Sequence, residues 1–298
     1  MASKMWIGGD TTDPNKWSVA VNWEPSGIPA NSDVVTIPAG SPAILDGLDQ
    51  SGVQLDGFIV EEGFTSAIGT EITQLKIKLK VDDFLFAGTG TSTIEVSVAV
   101  ISDVSPRVTQ CGLGSVGVPG LELSGNAFDA IAFAGSGSLG VGTRPGDNVT
   151  RVEDISVSGN GSVVVGPGVE AAAGDPNITV SGAGATVTVD CDVNDVHALR
   201  GTYRQRDGKW LTAYIHEATA FSPGDGIYGT TEVDTNGKLY NNENNNVRTF
   251  TTVTITDGGT WMDPAGTGGY SNPVQFPTGM GRCTIDFGRK KKLTVANI

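Results

Sequence analysis

The feature that most limits what this chain can fold into is a repeat in its middle. From Ile131 it reads IAFAGSGSLGVG, from Ile155 ISVSGNGSVVVG, and from Ile178 ITVSGAGATVTV, so the copies start 24 and then 23 residues apart. A looser copy, VTITDGGTWM, starts at Val253. Each copy is a short alternating strand, a turn built on Gly-x-Gly or a similar small-residue step, and a second alternating strand. Alternation sends every second side chain to one face, so each strand has an apolar side that must be covered. A unit of this size cannot cover that side alone, but a stack of such units can. Glycine at the corner permits a bend that a Cβ would obstruct. The repeat therefore predicts an all-β chain folded as a right-handed parallel β-solenoid, with rungs spaced by about 4.8 Å.

Alternation elsewhere agrees. Leu75, Ile77, Leu79 and Val81 oppose Lys76, Lys78 and Lys80, while Ile94, Val96, Val98 and Val100 form a second run and Val187, Val189, Cys191 and Val193 a third. The alternative is an antiparallel β-sandwich or jelly roll, which also consists of short strands and tight turns. Asp56-Gly57, Asp207-Gly208, Asn236-Gly237 and Asp257-Gly258 are hairpin-type dipeptides, and three of them lie in the last third. The expected organisation is an N-terminal cap and first rung over 1–40, a β-solenoid over 41–197, and a C-terminal β region over 198–298 with room for antiparallel pairing.

Charge and composition narrow the function classes. Lys and Arg total 19 against 33 Asp and Glu, a formal net charge of −14. Such a chain lacks the basic excess that phosphate contacts demand, which argues against a nucleic-acid partner. No apolar run approaches the roughly 18 residues of a membrane-spanning helix, so no membrane partner is expected. Met1 to Asp10 carries no basic segment followed by an apolar core, so synthesis in a cytoplasm is expected. Cys111, Cys191 and Cys283 are widely spaced and read as reduced, buried thiols rather than a disulfide framework.

The N-terminus looks built to close a solenoid. Trp6, Trp17 and Trp23 fall within eighteen residues and are three of the five tryptophans. They read as a structural cap over an otherwise exposed core and strand edge, and an exposed sugar-stacking platform is the functional alternative. The pattern Trp6-x-Gly8, Trp17, Asn22-Trp23, Gly27-Ile28-Pro29, Asp33-x-Val35-x-Ile37-Pro38 resembles the opening rung of β-solenoid proteins of two kinds: autotransporter-type bacterial surface proteins and virion proteins of tailed phages. The stretch from Leu55 to Thr70 is similar to the next segment of the phage members. The resemblance covers about the first 80 residues. Without an export signal it implies a virion protein assembled in the host cytoplasm, and it implies a homotrimer. Because the solenoid pattern starts at Trp6, it implies a capsid decoration (cement) protein on the capsid surface, contacting the major capsid protein or another virion protein. A tail-spike-like, receptor-binding protein that binds or cleaves host surface polysaccharide is the alternative, and a bacterial adhesin fragment the third.

No motif announces chemistry. His197 and His216 lie in no metal-ligand or catalytic spacing and read as ordinary polar positions. Asp190, Asp192 and Asn194 read as the outer face of one strand, a solvated acidic row rather than a Ca²⁺ loop. Asp154, Asp175 and Asp190 belong to rungs that stacking could bring together, the arrangement a glycosidase needs, and acidic residues approach aromatics only near Trp210, Tyr214 and Glu217. The expectation is a non-enzymatic chain without catalytic, cofactor or metal sites. Lys76, Lys78 and Lys80, with Arg289, Lys290, Lys291 and Lys292, are the candidate partner contacts. Tyr203, Trp210, Tyr214, Phe221, Tyr228 and Tyr240 crowd a stretch, 198–250, where the rhythm breaks; they read as core or as a trimer or ligand surface.

Overall fold

The computed structural model describes residues 2–70, 72–80, 83–98, 105–115, 118–125, 128–144, 149–171, 174–222, 226–241, 248–256 and 258–262, and the backbone of four further strands, Gly268–Tyr270, Val274–Phe276, Thr284–Asp286 and Val295–Asn297. The chain is an all-β parallel solenoid. Its one helical element among the described residues is a 3₁₀ turn, Ala20–Asn22. Two compact units divide it, Met1–Asp154 and Ile155–Ile298.

In the first unit, one ladder stacks Val34–Ile37, Gly57–Val60, Phe84–Phe86, Arg107–Val108 and Phe128–Phe133, all in parallel. A second stacks Asp49–Leu55, Leu75–Leu79, Ser92–Val98, Leu121–Gly125 and Ser138–Val141. Isolated parallel bridges, Ile44 to Ile68 and Ile68 to Ser92, mark a third side. Alternation becomes burial through register. Leu75, Ile94, Leu123 and Val141 fall in one column, and all are fully buried. Lys76 and Lys78 on the intervening positions are half-buried and Lys80 is exposed, whereas Val81 and Val100 lie outside the described residues.

The three tryptophans form one buried cluster, each 1% exposed or less. Trp23 contacts Trp6 and Trp17 edge-on at centroid distances of 4.9 and 4.6 Å. The Trp6 indole N–H donates to the Pro42 carbonyl at 2.9 Å and that of Trp23 to the Trp17 carbonyl at 2.8 Å; the buried Trp17 indole N–H has no partner. Strand Ser3–Trp6 pairs in parallel with Val34–Ile37 on one side and antiparallel with the two residues Trp23–Glu24 on the other. A short antiparallel strand thus covers the edge of the first rung, one of the devices that keep a sheet from pairing further. Asn22, fully buried, accepts from the Asp10 N–H and donates to the Asp13 and Lys16 carbonyls. Asp33 accepts from the N–H groups of Ala2 and Ala30.

In the second unit, one ladder stacks Asn177–Val180, Val193–Ala198, Trp210–His216, Gly226–Asp234 and Arg248–Ile255. The other stacks Ser162–Val165, Thr186–Val189, Gly201–Gln205, Ala218–Phe221, Lys238–Tyr240 and Thr260–Met262. Each repeat copy contributes one strand to each sheet. The Gly-x-Gly step is explained by close approach: a Cβ on Gly182 would lie 1.8 Å from the Gly159 carbonyl oxygen of the rung before.

Three sequence expectations are corrected. Rungs do not keep a 23–24-residue period: Val163 pairs with Val187, but Val187 pairs with Tyr203, only sixteen residues on, and Ile178 with Val196, eighteen on. The rhythm fades near residue 198 because corners shorten, while the strands persist. In the stretch Gly201–Met262, where turn dipeptides admit antiparallel hairpins, the described pairs are parallel. Asn236-Gly237 joins Gly226–Asp234 of one sheet to Lys238–Tyr240 of the other, so the tight turn serves as a solenoid corner. Finally, the run from Val187 to Val193 is not one strand. It breaks at Asp190–Asp192, between Thr186–Val189 and Val193–Ala198.

Candidate functional site

The aromatic-rich stretch resolves into two sets. Tyr203, Trp210 and Tyr228 are fully buried. With Phe250 and Trp261 they build an aromatic column, Trp210 to Tyr228 at 4.4 Å, Tyr228 to Phe250 at 5.2 Å and Phe250 to Trp261 at 5.4 Å. The Trp210 N–H donates to the Thr231 hydroxyl at 2.9 Å, which explains a threonine in a column otherwise of Ile178, Val196, Ala213 and Val253. Tyr214, Phe221 and Tyr240 point outward and are half-buried. Phe221 stacks on Tyr240 at 5.3 Å, with the Arg204 guanidinium 4.6 Å from the Phe221 ring centre.

Tyr214 belongs to the most chemically dense place on this unit. Register puts it between His197 and Glu232, and puts His216 beside Asp234. The Tyr214 O–H donates to Asp234 Oδ2 at 2.6 Å, and His216 Nδ1 lies 2.8 Å from Asp234 Oδ1. An ionised carboxylate only accepts, so Nδ1 carries the proton of this bond, and Nε2 is the ring's other polar atom. One carboxylate therefore fixes two rings, which stand nearly parallel with centres 6.0 Å apart. The bond to Asp234, then burial, then the charges of Asp234 and Glu232 push the Tyr214 phenol up to about 12, so its hydroxyl keeps its proton and stays a donor.

These rings line an open groove of about 560 Å³ together with Ser181, Leu199, Arg200 and Glu217. Arg200 Nε is 3.3 Å from Glu217 Oε2. Glu217 is the lone corner residue between Trp210–His216 and Ala218–Phe221, and its φ of 45° is left-handed. That conformation costs a residue with a Cβ about 1 kcal/mol or more, yet a carboxylate stands where glycine is the default.

His216 lines the groove and is paired with Asp234, but among the described lining residues no serine, threonine or cysteine lies beside that pair. Ser181 lies one residue beyond Val180, and His216 one beyond Ile215, in a column Val180–Ala198–Ile215. Two rung steps, roughly 9.6 Å at strand spacing, separate hydroxyl and imidazole, well past hydrogen-bond reach. The geometry suits holding a polar molecule against rings and charged groups.

Several other candidates have partners within the fold. Asp190 makes a two-pronged pair with Arg206. Asp192 accepts from the Lys209 N–H at 3.1 Å and faces its ammonium at 3.8 Å, and Asn194 donates to Asn177 Oδ1. Burial, then Asp175, Asp192 and Asp190, raise the Cys191 thiol to about 12, and burial does the same to Cys111. Lys76 is bonded to Glu95 at 3.2 Å and stands in register with Asp49, so the basic row is partly neutralised in place. Arg289, Lys290, Lys291, Lys292 and Cys283 lie outside the described residues. His216, expected to be an ordinary polar position, lies half-buried on a strand, and its pairing with Asp234 is the feature that sequence reasoning did not anticipate. Its partner lies eighteen positions later, a spacing that becomes a signal only once the rung length here is known.

Fold and groove together define a β-solenoid with a polar, ring-bearing groove on one flank. Compared with known proteins, the chain matches no family model, no curated protein and no solved structure.

Proposed function

We propose that this chain is a non-enzymatic structural protein of a tailed-phage particle, a homotrimer that decorates the capsid surface and stabilises the head. The observation that supports this reading best is the construction of the first rung. Residues of the pattern that resembles phage β-solenoid openings carry identifiable work: Trp6, Trp17 and Trp23 fill the cap, Asn22 ties its loops, and Asp33 holds the N-terminal strand. A pattern whose residues each carry a structural task in this chain is better support than composition alone. Decoration would act by spreading modest contacts over several shell subunits, each engaged at high effective concentration once the first is made. Binding the assembled shell in preference to its loosened form then stabilises it by mass action. Lys76, Lys78 and Lys80 are the described members of the basic set that such a contact would use, through charge complementarity with an acidic shell.

The test is native mass by light scattering, followed by co-sedimentation with undecorated heads. A particle of three times 30.7 kDa that pellets with heads and raises their melting temperature is the expected result. A monomer at all concentrations that leaves the heads in the pellet alone would overturn it. A second reading, a tail-spike-like receptor-binding protein, is favoured by the groove at Tyr214.

A further inference from the structure

We propose that the groove around Tyr214 is a binding site for an uncharged saccharide, in which the Tyr214 ring carries the apolar face of one sugar ring while Arg200, Glu217 and His216 take its hydroxyls. The inference concerns the flank of the second unit alone and stands whether or not the chain sits on a capsid.

Ring, polar set and charge each select the ligand. A pyranose has one face of C–H bonds whose slightly positive hydrogens pack on the negative face of an aromatic ring. Tyr214 lines the groove half-exposed, and Asp234 holds it through the hydroxyl at 2.6 Å. The ring is thus oriented before a ligand arrives, which lowers the ordering cost of binding. The polar groups around it offer both kinds of bond that a sugar hydroxyl makes. Arg200 supplies donors, Glu217 supplies acceptors, and the His216 ring, with Nδ1 committed to Asp234, offers Nε2 as a further polar atom. Arg200 and Glu217, 61% and 43% exposed, are paired at the surface rather than sunk in the core, so a ligand can share them without stripping a buried charge.

Charge separates one saccharide class from another. Among the described residues that line the groove, Arg200 is paired with Glu217, Glu232 and Asp234 stand on the neighbouring strand in register with Tyr214 and His216, and the chain as a whole carries −14. A uronate or sulfated chain would bring its anions towards Glu217 and the carboxylates of the neighbouring strand, and like-charge juxtaposition suppresses such partners. Neutral hydroxyls meet no such penalty, and carboxylates are their strongest acceptors. The same charge count speaks against eliminative cleavage of a polyuronate here, since that chemistry needs its carboxylate neutralised.

Affinity electrophoresis of the full chain through gels containing dextran, starch, laminarin or galactomannan, with polygalacturonate and heparin gels as anionic comparisons, tests the proposal. Retardation by at least one neutral polymer and none by the anionic pair is expected. Tyr214→Ala should weaken it at least tenfold, Arg200→Ala about threefold to tenfold, and Tyr214→Phe less than Tyr214→Ala because the ring remains. Leu211→Ala, exposed on the same strand but outside the groove, is the matched control and should migrate as the parent does. Circular dichroism and melting curves for each variant separate lost binding from lost folding. Free migration in all neutral gels, equal retardation of Tyr214→Ala and parent, or preferential retardation by polygalacturonate would each overturn the proposal.

Discussion

The cluster of Trp6, Trp17 and Trp23 and the column of Trp210, Tyr228, Phe250 and Trp261 bury the same kind of side chain to opposite ends. In the first, the rings come from eighteen consecutive residues and meet edge-on, and those of Trp6 and Trp23 hydrogen-bond to loop carbonyls. In the second, Trp210, Tyr228 and Phe250 come from successive strands of one ladder, and Trp261 comes from the other sheet. The cluster is local and ends a stack; the column depends on register and continues one. Burial of a large ring therefore says little about its task until the chain distance between neighbours is known.

The largest expected effects break this comparison directly. Trp23→Ala and Trp210→Ala should each lose about 3–5 kcal/mol, the usual result of truncating a buried aromatic, as measured by urea denaturation. Only Trp23→Ala should also self-associate, because it loosens the short antiparallel strand over the first edge. Equal self-association of both in light scattering would erase the distinction. A smaller effect sharpens it. Thr231→Val keeps the shape of the column but leaves the Trp210 N–H unpaired, for a loss of about 1–2 kcal/mol. Trp17→Phe, which removes an N–H that already lacks a partner, should cost less than Trp23→Phe in the same assay.

At the groove the expected changes are smaller still. Glu217→Gly should raise stability by roughly 0.5–1 kcal/mol by relieving the left-handed φ, while weakening saccharide retention. A stability gain with retention unchanged would mean that the carboxylate has no part in binding. For Tyr214 the effect lies in its titration. Its folded pKa, about 12, lies above the ordinary 10.0, so the protonated phenol is favoured in the folded state. That contribution is complete below pH 10 and is lost as pH rises from 10 to 12. Asp234→Asn should return the tyrosinate absorbance change of this residue towards pH 10.

Legibility in the sequence divides along the same line. The strand–turn–strand unit could be read because alternation is local and its Gly-x-Gly corner recurs. The cap could be read because its tryptophans are neighbours in the chain. The groove could not, since Tyr214, His216 and Asp234 meet only through a register that places residues seventeen or eighteen apart in contact. The repeat copies suggested a longer step of 23 or 24. The Asn-Gly and Asp-Gly turns misled in a related way: a left-handed corner such as Asn236, at φ 64°, bends the chain as sharply between two stacked sheets as within a hairpin. Asp190 and Asp192 continued the alternation past the end of a strand, because a corner of three residues preserves its appearance.

One irregularity bears on how such a chain can be altered. In the ladder between Asp49–Leu55 and Leu75–Leu79, Asp49 pairs with Lys76 and the next pair is Gln54 with Lys78, so the first strand carries three more residues than its partner over the same span. Pairing resumes afterwards as though they were absent, with Leu55 opposite Leu79. The surplus stretch, at Ser51-Gly52, is exposed. It is a splice point already accommodated by the architecture, where a foreign peptide could be carried outward without shifting the columns beneath it.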